Sequence, residues 1–342
     1  MKLRGLLAIP LLIGACDDGG EAPYMYLDEV RGGPELGIQP FEALPLPDGR
    51  VVLVGATLLG SSGQFDVELR VYDPASDELV ESTANWTTEA PARGVTLSDG
   101  RVLLLAGRLT DTALSRVYDP DTDRLEPGPE VLGDPFEVRG GVVDATGAPW
   151  FFGLAGDRAT AVQLDADLVT ALPVDASADF AFRADLPFHA LDGGAVVQGC
   201  VTASTPGGPE GQLQRFEGGD FSSSPHPVDC TASTRLEDGS LLLSGDVSGA
   251  QAQLLYEVPT DGGAPSPLAL DGFELPGASA RVALTTLQDA RVLMVAEDRN
   301  GILVPGTTEI TSAAPELVGT LAVTTEAGPA VAVEGTRLWI LE

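Results

Sequence analysis

Seven times along 342 residues a turn dipeptide is followed at once by an apolar run. The dipeptides are Asp48-Gly49, Asp99-Gly100, Thr146-Gly147, Asp192-Gly193, Asp238-Gly239, Asp289-Ala290 and Glu334-Gly335, at intervals of 51, 47, 46, 46, 51 and 45. The runs after them read VVLVG, VLLLAG, PWFFGLAG, AVVQG, LLLSG, VLMVA and LWILE. Self-similarity at a fixed period of this size marks a repeat architecture, in which one unit buries its apolar surface only against its neighbours.

A second mark follows the first six turns: RVYDP at 70–74 and 116–120, with weaker copies at 162–167, 214–220 and 254–262, and a faint one at 303–306. An aromatic or large apolar residue fills its slot at Tyr72, Tyr118, Leu164, Phe216 and Tyr256. Each unit then reads as four antiparallel strands joined by turns. The second strand is apolar at nearly every position, the pattern of a strand buried on both faces. Small sheets bury both faces when they stack face to face around an axis, so the expected fold is all-β, a seven-bladed β-propeller of four-stranded antiparallel blades. Residues 36–325 hold six units. The seventh blade is expected to join two C-terminal strands, PAVAV and RLWILE, to an N-terminal strand in 23–30. The alternative is six blades with a spare hairpin. The expected organisation is a signal peptide at 1–15, a tether at 16–22 and one propeller over 23–342, closed by both termini.

The YDP turns resemble those of Kelch repeats, whose units carry a double glycine after the second strand and YDP after the third. Here the double glycine is reduced to Gly55-Ala56, Ala106-Gly107 and Gly199-Cys200, and Leu79 and Leu125 stand where the Kelch pattern has tryptophan.

At the N-terminus, Lys2 and Arg4 precede a short apolar stretch, Gly5 to Ile13, too short to span a bilayer. It ends in Leu12-Ile13-Gly14-Ala15-Cys16, which resembles a bacterial lipobox. The resemblance implies a lipidated Cys16 as mature N-terminus and a cell-envelope protein anchored to a membrane, inner or outer. The alternative is a secretory peptide cut near Ala15. Cleavage before Cys16 leaves 17 basic against 51 acidic residues, a net charge of −34. So acidic a surface repels phosphate backbones, and nucleic acid is not an expected partner. A monomer is expected.

Little points to catalysis. His189 and His226 are the only histidines, and H-E-x-x-H and G-x-S-x-G are absent. Copper oxidases of the Kelch class use two His and two Tyr, but His189 lies beside a turn and His226 in a proline-rich connector. No cofactor is expected. Asp119, Asp121 and Asp123 alternate as in a calcium loop, with Glu130 at the twelfth position, but Arg124 stands where such a loop needs glycine. Calcium and an Asp-rich β-turn are the two readings. Asn85-Trp86-Thr87 fits a glycosylation pattern, read here as chance, and Trp86 is either an exposed aromatic anchor or core.

The reading that follows is a binding module for a protein or glycan. The expected recognition face carries the long loops 56–66 and 199–211, with Arg93, Arg139 and Arg281 near the channel as anion ligands or as partners of carboxylates. Two other readings stand: a sugar-modifying enzyme using carboxylates, and a structural envelope protein. Cys200 and Cys230 are expected to form a disulfide between the fourth and fifth blades, the alternative being two buried thiols.

Overall fold

The computed structural model describes residues 30–341 except 109, 111–112, 132–134, 157, 165–169, 174–181, 184–185, 206–207, 227–228, 247–253, 262, 271–276, 278–279, 297–298, 308–309, 312–318, 320 and 326–328; at 30, 170–173, 200–205, 208–210, 246 and 311 it describes backbone alone. Cys16, the tether and 23–29 lie outside the described residues.

Seven sheets form a ring, each of four antiparallel strands in meander order, with a short fifth strand added to the first and, paired parallel, to the third. The innermost strands begin at Pro40, Arg93, Glu137, His189, Asp229, Val282 and Leu321. This is a seven-bladed β-propeller. The second strands are the apolar runs of the sequence: Val51 to Val54 and Val102 to Leu105 are wholly buried. The core is correspondingly divided into seven clusters, one in each wedge between neighbouring blades.

The seventh blade departs from the sequence expectation. The C-terminus supplies three strands, Leu321–Thr324, Ala330–Glu334 and Arg337–Leu341, and the N-terminus adds only the outermost, Val30–Gly32. Val30 pairs with Leu341 and Gly32 with Trp339, so each end of the chain holds the other. The error came from Glu334-Gly335, which joins strands two and three. The place equivalent to Leu46 and Arg50 in the first blade is held by Thr325 and Pro329, where the Thr325 N–H donates to the Pro329 carbonyl as Leu46 donates to Arg50. In the fourth blade the turn glycine is Gly194, one place later than Asp192-Gly193 suggests.

The long loops are also corrected. Residues 51–59 and 64–73 pair as far as Leu59 with Gln64, and 196–205 with 208–217 as far as Thr205 with Gly208. Both are β-hairpins extended beyond their blades. The first is buttressed by Trp86–Thr88, which pairs with Phe65 to Val67.

Two positions show why small residues are needed. The glycine of the first-to-second-strand turn adopts φ of 93° at Gly49 and 85° at Gly100, but Ala290 holds this place at 66°. A side chain in the left-handed region costs about 1–2 kcal/mol. At Gly107 a Cβ would lie 2.2 Å from the Phe136 carbonyl oxygen, where the chain enters the third blade. Ala290→Gly is therefore expected to stabilise the protein by about 0.5–1 kcal/mol after the entropy of the unfolded chain is counted. Gly107→Ala should destabilise it by about 1–3 kcal/mol. Urea denaturation of both variants checks the two signs.

Candidate functional site

The innermost strands of all seven blades enclose a central cavity of about 320 Å³. Three of them carry a β-bulge. In the first blade Pro40 pairs with Gly55 and Glu42 with Val54, leaving Phe41 unpaired. The same shift leaves out Arg139 in the third blade and Thr231 in the fifth. A bulge turns one side chain out of the strand's alternation, and all three bulged residues line the cavity.

Counted from the turn after each innermost strand, the place of Glu42 is held by Arg93, Gly140, Pro187, Ala232, Ala283 and Leu321 in the other blades. One acid and one base thus sit at the same level on neighbouring blades, in a ring otherwise without charge. The Gly94 N–H donates to Glu42 Oε2 at 2.8 Å. The Arg93 guanidinium lies over the Phe41 ring, 4.9 Å from its centre, a cation–π contact. Among the described residues Arg93 has no carboxylate within ion-pair distance. Confinement inside the ring raises the Glu42 carboxyl to about 7, against the opposing pull of Arg93 and the Gly94 N–H.

Arg139 pairs with Glu137 at 2.7 Å, yet its buried Nε–H has no partner. Across the cavity, His189 Nε2 lies 2.9 Å from Ser233 Oγ. Burial, and then the charge of Arg235, lower His189 to about 4. The pair has the spacing of a nucleophile and its base, but among the described residues no carboxylate raises the basicity of the imidazole, and an arginine lowers it. This is the reverse of what activates a serine.

The other candidates lie elsewhere. Arg281 is exposed, just before its strand, and does not line the cavity. Trp86 is buried beneath the first hairpin, with the Arg116 guanidinium 5.5 Å above its ring, so it is core and not an exposed anchor. Asp119 accepts from Thr122 Oγ1 and the Asp121 N–H, Asp121 meets Arg50, and Asp123 accepts from Ser82, Thr83 and Tyr118. The three carboxylates are bound within and between turns, and among the described residues no group of His, Cys, Asp or Glu is placed to hold a metal ion. His226 lies on the outermost strand of the blade whose innermost strand carries His189, three strand spacings or about 14 Å away. The two histidines therefore do not meet as copper ligands would. Cys230 is fully buried, with Sγ 3.8 Å from the Gly199 carbonyl oxygen; the Cys200 side chain lies outside the described residues.

Two residues had no place among the sequence candidates. Glu42 shared with Arg93 the same offset, six residues before the Asp of the turn, and this was its only signal. Arg108 follows the second strand of its blade and lines a cleft with Arg93, Phe65 and Glu137, which makes the cleft and the cavity neighbours through Arg93.

No protein-family model matches this sequence, and no curated protein does. Solved structures do. The chain is similar to a fungal alcohol oxidase of the AA5 family in complex with copper, at 13% identity and a TM-score of 0.65, over 93% of this chain and 76% of that one. It is similar to a streptogramin B lyase at 16% identity and a TM-score of 0.62, over 92% of this chain and 97% of that one. At such identities the likeness is one of fold.

Glu42 and His189 make opposite contributions to stability. Glu42 is raised from 4.5 to about 7, so its contribution is complete below 4.5 and lost as pH rises through 7. His189 is lowered from 6.5 to about 4, so its contribution is complete above 6.5 and lost as pH falls through 4. Each shift corresponds to about 3 kcal/mol. Glu42→Gln should gain on the parent as pH rises from 4.5 to 8, and His189→Gln should gain as pH falls from 7 to 4. Denaturant midpoints across this range test both.

Proposed function

We propose that this chain is a lipid-anchored, extracytoplasmic propeller of Kelch-like repeats that binds a ligand, protein or glycan, at the face where the channel opens. The carrying observation is the make-up of the cavity: among its described lining residues Glu42 is the single carboxylate, and two arginines accompany it. A glycosidase of the usual kind needs two carboxyl groups about 5–9.5 Å apart. The rigid ring, the bulges that aim Phe41, Arg139 and Thr231, and the two hairpins suit recognition, which favours exposed segments on a stiff scaffold. The Kelch-like reading draws on the first two blades, where Tyr72 and Tyr118 donate to Asp77 and Asp123, each five residues on.

A panel of neutral sugars, acidic sugars and short peptides is expected to contain a compound that raises the melting temperature in proportion to its concentration. Phe41→Ala should weaken that response. A panel without any such compound ends the binding reading.

The anchor is tested separately. Cys16→Ser should move the protein from membranes into a soluble fraction or leave it unprocessed; membrane association at the mature size places the anchor elsewhere. A bridge between Cys200 and Cys230 would join the second hairpin to the fifth blade, and the closeness of Cys230 to Gly199 supports it. Thiol labelling of the unreduced, denatured mature protein should find neither cysteine reactive, and two labelled residues would exclude the bridge.

A further inference from the structure

Arginines without ion-pair partners are unexpected in a chain with 51 acidic residues and 19 basic ones. Yet among the described residues Arg93 and Arg108 have no carboxylate within ion-pair distance, and the buried Nε–H of Arg139 has no acceptor. Arg93 and Arg139 line the cavity on adjacent blades, and Arg93 and Arg108 line the cleft beside it. Phe41 holds the Arg93 guanidinium in place from below. The Arg93 guanidinium and the Arg139 Nε–H, which meet no acceptor among the described residues although Arg139 also pairs with Glu137, are placed to receive an anionic group.

We infer that the channel mouth binds the monoanionic group of a small acidic ligand, a carboxylate or a sulfate, between Arg93 and Arg139, and that binding is coupled to protonation of Glu42. This rests on the binding reading above and names its ligand class. When Glu42 is ionised, its charge offsets that of Arg93 and repels the incoming anion. When Glu42 is protonated, Arg93 is free for the ligand, and the carboxyl O–H gains an anionic oxygen to donate to. One proton is taken up at Glu42 as the anion binds. No covalent step is involved.

The groups facing Glu42 are few. Arg93 stands on the second blade and Arg139 on the third. His189 on the fourth is the cavity's other titrating group. The fifth and sixth blades present the hydroxyls of Thr231, Ser233, Thr234 and Thr285, and the seventh presents Leu321, Ala322 and Val323. Glu42 titrates near 7 and His189 near 4, so between pH 5.5 and 8.5 the carboxyl alone changes charge within the cavity.

Isothermal titration with D-glucuronate and with sodium methyl sulfate, each a monoanion over that range, and with D-glucose as neutral control, tests the inference. At least one anion should bind and glucose should not. Its affinity should fall about tenfold or more from pH 5.5 to 8.5, since a one-proton linkage allows up to tenfold per unit above the carboxyl's own titration. Near pH 7, buffers of different ionisation enthalpy should show uptake of up to one proton. Arg93→Ala and Arg139→Ala should each weaken binding tenfold or more at pH 5.5. Glu42→Gln should bind equally at both pH values, and His189→Gln should leave the profile unchanged. Preference for glucuronate identifies an acidic sugar; preference for methyl sulfate identifies a sulfated ligand. Binding of glucose, or of any neutral compound independently of Arg93, overturns the anion site while leaving the binding reading intact. A pH profile that survives Glu42→Gln overturns the coupling, and failure of both anions to bind overturns the inference as a whole.

Discussion

Burial of the second strand on both faces is the constraint from which the rest of the architecture follows. A strand such as Val51 to Val54, wholly buried, cannot belong to a sheet with one wet face. Each sheet must be covered by another on both sides, and seven sheets satisfy this together only by closing into a ring. Closure also covers the open faces that the two end sheets of a stack would leave, while each blade keeps only short edge strands. The pairing of Val30–Gly32 with Arg337–Leu341 is how the chain meets that requirement, with each terminus completing the blade that the other began.

Polar contacts then fix how neighbouring blades meet away from the channel. Arg31 donates to the Pro74 carbonyl and pairs with Asp77 across the closing seam. Ser82 and Thr83 of the first blade donate to Asp123 of the second, and Arg235 of the fifth reaches Asp192 of the fourth. Half-exposed ion pairs contribute little each, typically below about 1 kcal/mol, so their value lies in register more than in stability. They also show why the Asp-rich turns are poor metal ligands: Asp77 and Asp123 already accept hydrogen bonds or ion pairs from the next or the previous blade.

The sequence carried the blade pattern because turn chemistry and burial act locally. The Asp-Gly turns need a left-handed residue, and the second strands need apolar side chains at every position; both are visible within a few residues. The seventh turn was misplaced because Glu334-Gly335 also stands between two apolar strands, and only pairing distinguishes strands one and two from strands two and three. The hairpin tips read as loops because Gly60-Ser61-Ser62-Gly63 is turn chemistry, while the paired strands around it are mixed in polarity. Trp86 read ambiguously because its burial depends on Arg116 and on a hairpin twenty residues earlier. The bulges were invisible, since one extra residue in a short strand leaves no mark in composition. Arg93 and Arg139 were nonetheless legible as channel residues, because their offset from the turn places them on innermost strands.

Seven copies of one unit, left to packing alone, would make a channel of sevenfold character, and most of this one is built that way from Gly, Ala, Leu, Val, Ser and Thr. Departures from that symmetry are where local rules give way to other demands. Glu42 and Arg93 depart most: they occupy the same place in neighbouring blades, and they stand at ion-pair-forming positions without closing an ion pair. A packed core gains nothing from an acid whose carboxyl is pushed up to about 7, nor from an arginine held over a ring with its donors unspent. An ionised Glu42 is unfavourable for the empty propeller, and the Arg93 donors that face the cavity are what the proposed anion would meet. The repeat thus supplies the rigid wall, and two substitutions within it supply the chemistry.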